Sequence, residues 1–528
     1  MIYSGDKAVS FDIFDTLIVR DLYAPTDLFL YVEHKSKKAG FAKQRRLTEA
    51  LLRVKFRREI TFDEIYEHIP DQYKPLKEEE LMAEEIFCSC NSDIKPQFER
   101  YKKDGYKIVC TSDMYLPSSF LLSLLEKNGF SGIDKIFVSC EYNKTKYSGS
   151  LFKEVCKALN IKPNQLTHIG DNWHSDYFVP SHLGITSVHY QTPKRLFCAK
   201  HRYIKKFYKK HPDLGHSVIA NIIATKGCEN ADLESFGFNI AGVMVLSYSM
   251  FVAKVCKDKS FDLAMLLARD GYYIQKCLDI FTPDLRTVYV YAPRQQYWLT
   301  HYDTDFRGIV SVPRGITSYF GKKCFFNNLY IRTHRAQMEV FLNKEREKWG
   351  YREYLMNKMG NTRFACIVDG PSGSRTSQKF IQKELNKTIP TIYVQCLPHV
   401  NEKNIPAINF LKFPKYLIQN RLKRSQLIEK VFTSPYESAE FIDKYGNIKF
   451  FDHRYDMGRK EKYQELEKGM YEFFNQIAKY RDITDVFSKS TVFEDILTSF
   501  SSSDRANYNK IFRILRQNQW YLFTHKGN

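Results

Sequence analysis

Ala8-Val9-Ser10-Phe11-Asp12-Ile13-Phe14-Asp15-Thr16 begins almost wholly apolar and ends on two carboxylates and a hydroxyl. A near-continuous apolar run, rather than strict alternation, marks a strand covered on both faces, so residues 8 to 14 read as a buried strand. A carboxylate at the carboxyl end of such a strand faces the crevice where open parallel sheets bind ligands. Asp12 is therefore the first candidate nucleophile.

The same pattern repeats outward from this point. A second strand is expected over Tyr106–Cys110, then a turn and a helix around Phe120–Lys127. A third strand covers Lys135–Ser139, a helix Leu151–Leu159, a fourth strand Leu166–Gly170 and a fifth Thr186–Tyr190. Strands alternating with helices predict parallel β-α-β units in an open α/β sheet. From about Pro25 to Tyr101 the text is helical and charged, an insertion placed over one end of that sheet.

Each strand end carries chemistry. The second ends in Thr111-Ser112-Asp113, and the fourth in Gly170-Asp171 with Asp176 five residues on. Lys146 lies in a loop before a helix. Taken singly these are helix caps, turn formers and a surface charge. Taken in order, they set a carboxylate, a hydroxyl, a lysine and a pair of acids each on its own β-α unit.

That order resembles the haloacid dehalogenase (HAD) superfamily across about residues 5 to 190. The first motif, Asp-x-Asp-x-Thr, corresponds to Asp12-Ile13-Phe14-Asp15-Thr16. Ser112, or its neighbour Thr111, matches the second motif's hydroxyl and Lys146 the third motif's lysine, followed by Leu151-Phe152 at the apolar helix start. Asp171 and Asp176 match the fourth motif, and Gly184 the small residue trailing it. The helical insertion, about 20–100, sits where the family has its type-one cap. The resemblance implies a Rossmann-like core in which Asp12 attacks phosphorus and forms an aspartyl-phosphate. It implies Mg²⁺ held by Asp12, the backbone carbonyl of Phe14 and Asp171, with Asp176 ordering the metal's waters or contacting Lys146. Lys146 and Ser112 would hold the phosphoryl oxygens, with Thr16 and Thr111 in the same phosphate-binding set.

The first motif departs from the family at Phe14, where phosphatases carry the Asp that protonates the leaving group. Asp15, one residue further along an extended strand, should point to the opposite side. Losing a general acid costs about 10²–10⁴-fold. The substrate then has a good leaving group such as an anhydride or anomeric phosphate, or the acid comes from the cap or a second domain, or the domain binds without turnover. Arg20, Arg45, Arg46 and Arg53 lie in or near the cap; one could read a second anion on the substrate, and most read as solvated helix charges.

At 528 residues the chain is too long for one ordinary core. The expected organisation is 1–192 for the hydrolase-like domain, 193–230 for a basic linker, 231–455 for a second α/β domain and 456–528 for a mostly helical region. The linker holds Lys194, Arg195, Lys200, Arg202, Lys205, Lys206, Lys209 and Lys210, read as a solvated face or a phosphate- or lipid-facing patch. In the second domain Leu263–Ala268 runs into Arg269-Asp270-Gly271. Cys366–Val368 runs into Asp369-Gly370-Pro371-Ser372-Gly373-Ser374, with further strands over Val288–Tyr291 and Thr391–Val394. The Asp369 loop reads as an anion-binding turn or a plain tight turn, and Arg269 as facing the same crevice. That loop is similar to phosphoribosyltransferase loops but lacks their full acidic signature, and it is not a Walker motif. The whole layout resembles predicted hydrolases found with bacterial surface-polysaccharide (capsule) biosynthesis.

A formal net charge of +20 favours anionic partners. No finger, recognition-motif or homeodomain pattern is present, so the expected partner is a phosphorylated small molecule or glycan precursor rather than specific nucleic acid. The charge also leaves room for peripheral association with a membrane or a glycosyltransferase complex. Twelve scattered cysteines without paired metal spacing suit a reducing compartment, and no secretory signal is read, so the expected location is cytoplasmic, with the inner membrane as a peripheral site. Phe236–Ala253 carries no charge and is about long enough to span a bilayer; it reads as a buried helix or a membrane-associated one. The expected function is a Mg²⁺-dependent hydrolase of phosphorylated sugars, polyols or nucleotide-linked substrates. The alternatives are a non-catalytic phosphate-ligand platform, or a transferase centred on Asp369 and Arg269.

Overall fold

A computed structural model describes residues 7–227, 229–230, 232–293, 296, 335–372, 375–396, 406–411, 427–436, 438–450, 457–500 and 511. The chain forms two units, Met1–Lys226 and Gly227–Asn528. Both are α/β, each built on a parallel five-stranded sheet.

The first unit contains β1 (Ala8–Phe11), β2 (Ile18–Arg20), β3 (Cys88–Cys90), β4 (Lys107–Ser112), β5 (Lys135–Val138), β6 (Leu166–Gly170) and β7 (Thr186–His189). The sheet order is β5-β4-β1-β6-β7, parallel throughout. The chain builds outward from β1 on one side, then crosses to build on the other. This is the Rossmann-like arrangement, and β1 and β6 flank the point where the strand order reverses, the ligand position in open sheets. β1 is buried on both faces because each face has its own cover. Ala8 packs with Val109, Phe137 and Phe152, while Phe11 meets Phe98 and Tyr101 of the helix Lys95–Lys103.

One expectation changes here. β1 ends at Phe11, and Ile13–Ile18 is a tight turn in which the amides of Leu17 and Ile18 both donate to the Ile13 carbonyl. Asp15 is in the left-handed region with φ 58°. The alternation rule for an extended strand therefore does not govern where Asp15 points.

Between β1 and β4 lie the helices Leu28–Ser36, Phe41–Phe56, Phe62–His68 and Lys77–Phe87, with β2 and β3 as an antiparallel pair. The helix Phe62–His68 starts where Thr61 and Glu64 form a reciprocal capping box. Two of the cap arginines are not solvated charges. Arg45 is fully buried and makes a bidentate pair with Glu80, both bonds 2.8 Å, while Tyr66 donates to the same carboxylate. Arg20 is buried on Glu84 at 2.8 and 2.9 Å. Arg53 is shared between Glu49 and Glu59. For Arg45 and Arg20 the sequence hides this, because Glu80 and Glu84 lie tens of residues from them, outside the reach of helical pairing rules.

Residues 193–226 form three helices, Pro193–Lys200, Arg202–Lys210 and Leu214–Lys226. In the middle one Tyr203, Ile204 and Phe207 are buried, and Lys205, Lys206, Lys209 and Lys210 are exposed. That is a solvated basic face on an amphipathic helix.

The second unit contains β8 (Leu263–Leu267), β9 (Thr287–Val290), β10 (Ala365–Ser372), β11 (Thr391–Cys396) and β12 (Ala407–Asn409), in the order β12-β11-β10-β8-β9. The apolar stretch read as a possible span is the helical segment Leu233–Lys259, and 89% of its most apolar window is buried. Gly237 makes part of that burial possible, since a Cβ there would overlap the carbonyl of Leu466 in the helix Met457–Ile477. The two helices cross in backbone contact, which only a glycine allows.

Candidate active site

The site sits at the carboxyl ends of β1 and β6. Asp12 follows β1 directly and its amide donates to the Ile169 carbonyl at 2.9 Å, which fixes it beside the end of β6. Lys146 is delivered by the loop before the helix Ser150–Leu159. The Asp113 carboxylate pins that loop by accepting from the amides of Lys146 at 2.8 Å and Tyr147 at 3.3 Å. The buried Lys146 ammonium then lies 2.6 Å from Asp12 Oδ1 and 2.6 Å from Asp176 Oδ1. One cation thus ties together the first, third and fourth candidate motifs.

Asp176 is fully buried and already well partnered. Its Oδ1 accepts from Lys146 and from His168 Nε2 at 3.1 Å, and its Oδ2 accepts from the Asn172 amide at 2.9 Å. Gly170 is needed for this, because a Cβ there would overlap the Asp176 carboxyl. Burial pushes the Asp176 carboxyl up, but the Lys146 charge and the His168 bond hold it below the usual carboxylate range.

A buried polar chain supports this carboxylate. Burial pushes the His168 imidazole below its ordinary value despite Asp176 beside it, so the ring is neutral at physiological pH. A carboxylate only accepts, so Nε2 carries the proton and Nδ1 accepts from Ser10 Oγ at 3.0 Å. Ser10 Oγ in turn accepts from Thr111 Oγ1 at 2.7 Å. Thr111 therefore spends its proton on Ser10 and is not a free phosphate donor. Ser112, the last residue of β4, is the hydroxyl left at the sheet's end. Thr16 Oγ1 is buried and has no hydrogen-bond partner among the described residues, a hydroxyl available to an incoming oxygen.

Oxygens of Asp12, Asp171 and Asp176 lie within 4.8 Å of one another. Three carboxylates against one lysine leave excess negative charge in a largely buried place, and hard oxygens are what Mg²⁺ takes. The residues fit a divalent cation to which Asp12 and Asp171 offer carboxylate oxygens, with Asp176 contributing its remaining lone pair or ordering water. Burial is the main cause that pushes the Asp171 carboxyl up to about 7, reinforced by Asp15 and Asp176 and opposed by Lys146 and Arg195. Burial also pushes Asp12 well above the usual range, with Lys146 pulling it down and the other two acids pushing it up.

A pH dependence follows. A protonated carboxyl is a poor cation ligand, so metal affinity should rise with pH as Asp171 ionises. The thermal stabilisation given by Mg²⁺ is expected to grow between about pH 6 and about pH 8. Without metal the sign reverses. The unfolded chain ionises Asp171 at the ordinary value while the folded chain resists, so this group's contribution to stability falls as pH rises toward about 7. Melting curves with and without Mg²⁺ across that range check both signs; Mg²⁺ stabilisation that is flat or falls with pH would contradict the assignment of Asp171.

Phe14 carries no acid, and its ring has another use. The Arg20 guanidinium stacks 3.7 Å from its centroid while bonded to Glu84. Asp15 lies within electrostatic reach of Asp171 and of Lys194, both of whose titrations it influences. Lys194 also donates to the Leu22 carbonyl at 2.9 Å, so this member of the basic stretch belongs to the surroundings of the site.

Asp369 and Arg269 belong to the second unit. β10 continues to Ser372 rather than stopping at Val368, so Asp369 to Ser372 pairs with β11 as strand. The Gly370 amide donates to its own neighbour, Asp369 Oδ1, at 2.9 Å. The expected turn with free amides is therefore not formed at Asp369–Gly370, while Gly373 and Ser374 lie outside the described residues.

Ser10, His168, Asp113 and Asn172 were not singled out from sequence as functional. Ser10 and His168 are the polar residues that break buried strands, and they stand opposite each other in the β1–β6 register. That pairing was the available signal.

No protein-family model matches the chain, and no curated protein matches it. Solved structures do match its first third. A 2-haloacid dehalogenase from Pseudomonas syringae pv. Tomato DC3000 is 16% identical over 35% of this chain and 86% of its own, with a TM-score of 0.27. A predicted phosphoglycolate phosphatase from Haemophilus somnus 129PT is 15% identical over 36% and 89%, with a TM-score of 0.26. A HAD family enzyme from Bacteroides thetaiotaomicron, in a magnesium complex, is 18% identical over 35% and 94%, with a TM-score of 0.25.

Proposed function

We propose that the first unit is a HAD-type phosphohydrolase using Asp12 as nucleophile on a phosphorylated sugar, polyol or nucleotide-linked substrate. The observation that carries this reading is Lys146, held between Asp12 and Asp176 at 2.6 Å from each. Lys146 binds Asp12 through Oδ1 and leaves Oδ2 for attack on phosphorus. The P–O bond to the leaving group breaks as the Oδ2–P bond forms, and the leaving oxygen departs with the electron pair. Water then attacks phosphorus, inorganic phosphate is released and the Asp12 carboxylate returns. Ser112, Thr16 and Lys146 meet the phosphoryl oxygens as charge shifts onto them. Bound Mg²⁺, held by Asp12, Asp171 and the Phe14 carbonyl, would supply charge neutralisation for the phosphoryl group. A role in surface-polysaccharide biosynthesis belongs to the same proposal and rests on the sequence resemblance.

Position 14 offers no proton, and its sequence neighbour Asp15, within electrostatic reach of Asp171, is the carboxylate we assign to that role. The test is phosphate release with Mg²⁺ from a panel of sugar phosphates, nucleotide sugars and acyl phosphates. Asp15→Asn is expected to slow alkyl phosphates about 10²-fold, the size of a lost general acid. Acyl phosphates, whose leaving group needs no proton, should be nearly unaffected. Equal slowing of both classes would remove Asp15 from the acid role. No phosphate release from any member would leave the non-catalytic binding platform as the better reading.

A further inference from the structure

The second unit has its own point of strand reversal. β8 lies between β9 and β10, and the helices that follow β8 and β10 cover opposite faces. The helix Gly271–Phe281 starts tight against Leu266, since a Cβ at Gly271 would overlap that residue. The helix Thr376–Leu385 places Phe380 and Ile381 with Met265, Leu267 and Ile367, which point the other way. Loops that leave in opposite directions mark the place where open sheets carry their ligand crevice.

The sheet itself splits there. β10 pairs with β8 only as far as Val368, opposite Leu266, but pairs with β11 as far as Ser372. Beyond Val368 the β8-facing edge of β10 has no strand partner among the described residues, and the Asp270 side chain fills that place against Gly370. Any Cβ at 370 would overlap the Asp270 carboxylate. Tyr248 braces the floor by donating to the carbonyls of Asp369 and Ile392, 2.9 Å each. The Ser434 amide holds the Arg269 carbonyl at 3.3 Å. Arg269 as a residue is half-buried, and its guanidinium makes no hydrogen bond or ion pair among the described residues. A cation withdrawn from water without an anion is costly, and an anionic ligand would offset that cost.

We infer that this crevice is a second ligand site, for a phosphorylated sugar unit whose phosphate meets Arg269 and whose hydroxyls donate to Asp270 and Asp369. Carboxylates accept sugar hydroxyls and a guanidinium pairs with phosphate in two-point geometry, so the residue set matches one ligand carrying both groups. The unit can be a free sugar phosphate or part of a nucleotide. Nothing in this inference depends on the chemistry assigned to Asp12.

The test is hydrogen–deuterium exchange on the full chain with ribose 5-phosphate, with UDP, and with ribose and uridine as phosphate-free controls. Protection of residues 263–272 and 365–372 by ribose 5-phosphate or UDP, and not by the controls, is expected. Which of the two protects separates the free sugar phosphate from the nucleotide. Arg269→Gln should weaken that protection at least about tenfold in ligand concentration, the scale of a lost charge-assisted bond. If Arg269→Gln disturbs the ligand-free second unit, Arg269→Lys together with the phosphate-free controls carries the comparison, and partial retention is expected. No protection of these segments by either phosphate compound, equal protection by the controls, or protection indifferent to both Arg269 variants would overturn the inference.

Discussion

Asp12→Asn is expected to abolish phosphate release while leaving the protein at least as stable as the original. An amide is a poor nucleophile toward phosphorus, so turnover should fall by at least about 10³-fold. Stability should move the other way. Burial pushes the Asp12 carboxyl well above its ordinary range, and the neighbouring Asp176 and Asp171 push it further. The ionised form is therefore strained electrostatically in the fold, and an uncharged isostere relieves that strain. A residue kept at a cost to folding is the mark of a site selected for chemistry. Thermal unfolding alongside phosphate release checks both halves. An Asn variant that is inactive because it unfolds early would count against this account as firmly as one that turns over normally.

Lys146→Met should lose on both measures. The lysine is the cation shared by Asp12 and Asp176, all three being buried or nearly so. Burial works against its charge, but the two carboxylates raise the ammonium above its ordinary value, so it stays charged across the working pH range. Removing one partner of a buried ion pair costs about 3–5 kcal/mol, because the charges left behind have no water to turn to. Turnover should fall by about 10²–10³-fold as phosphoryl charge loses its donor. Lys146→Arg should not rescue activity, since a planar guanidinium cannot make two 2.6 Å contacts from a single nitrogen in the same space. Denaturant unfolding and phosphate release under matched Mg²⁺ separate the two effects. A Met variant as stable as the original would show that the three-residue bridge does not hold the site together.

Much of the first unit was legible because its signals are local. Apolar runs at β1, β4, β5 and β6 and turn residues at their ends place the strands within a few residues. A parallel sheet then delivers each strand-end side chain to one edge. What was not legible depends on distance in sequence. The Arg45–Glu80 and Arg20–Glu84 pairs join residues whose helices meet only in the folded cap. The Thr111–Ser10–His168–Asp176 chain crosses three strands, and only the register places its members together. The alternation argument for Asp15 does not apply, because the strand was read three residues too long and a turn with a left-handed residue follows it. In the second unit β10 was read as ending four residues too early, since Asp369-Gly-Pro-Ser has turn composition but is held in the sheet by pairing with β11. Composition reports what a segment does alone; a neighbouring strand can overrule it.

The central claim is that Asp12 becomes phosphorylated. The most direct measurement is rapid acid quench of the full chain during turnover of an acyl phosphate with Mg²⁺, followed by peptide mass spectrometry. The account predicts a phosphoryl adduct on the peptide carrying Asp12, labile to base and absent from Asp12→Asn. Turnover with no adduct at Asp12, or an adduct that persists in the Asn variant, would contradict it.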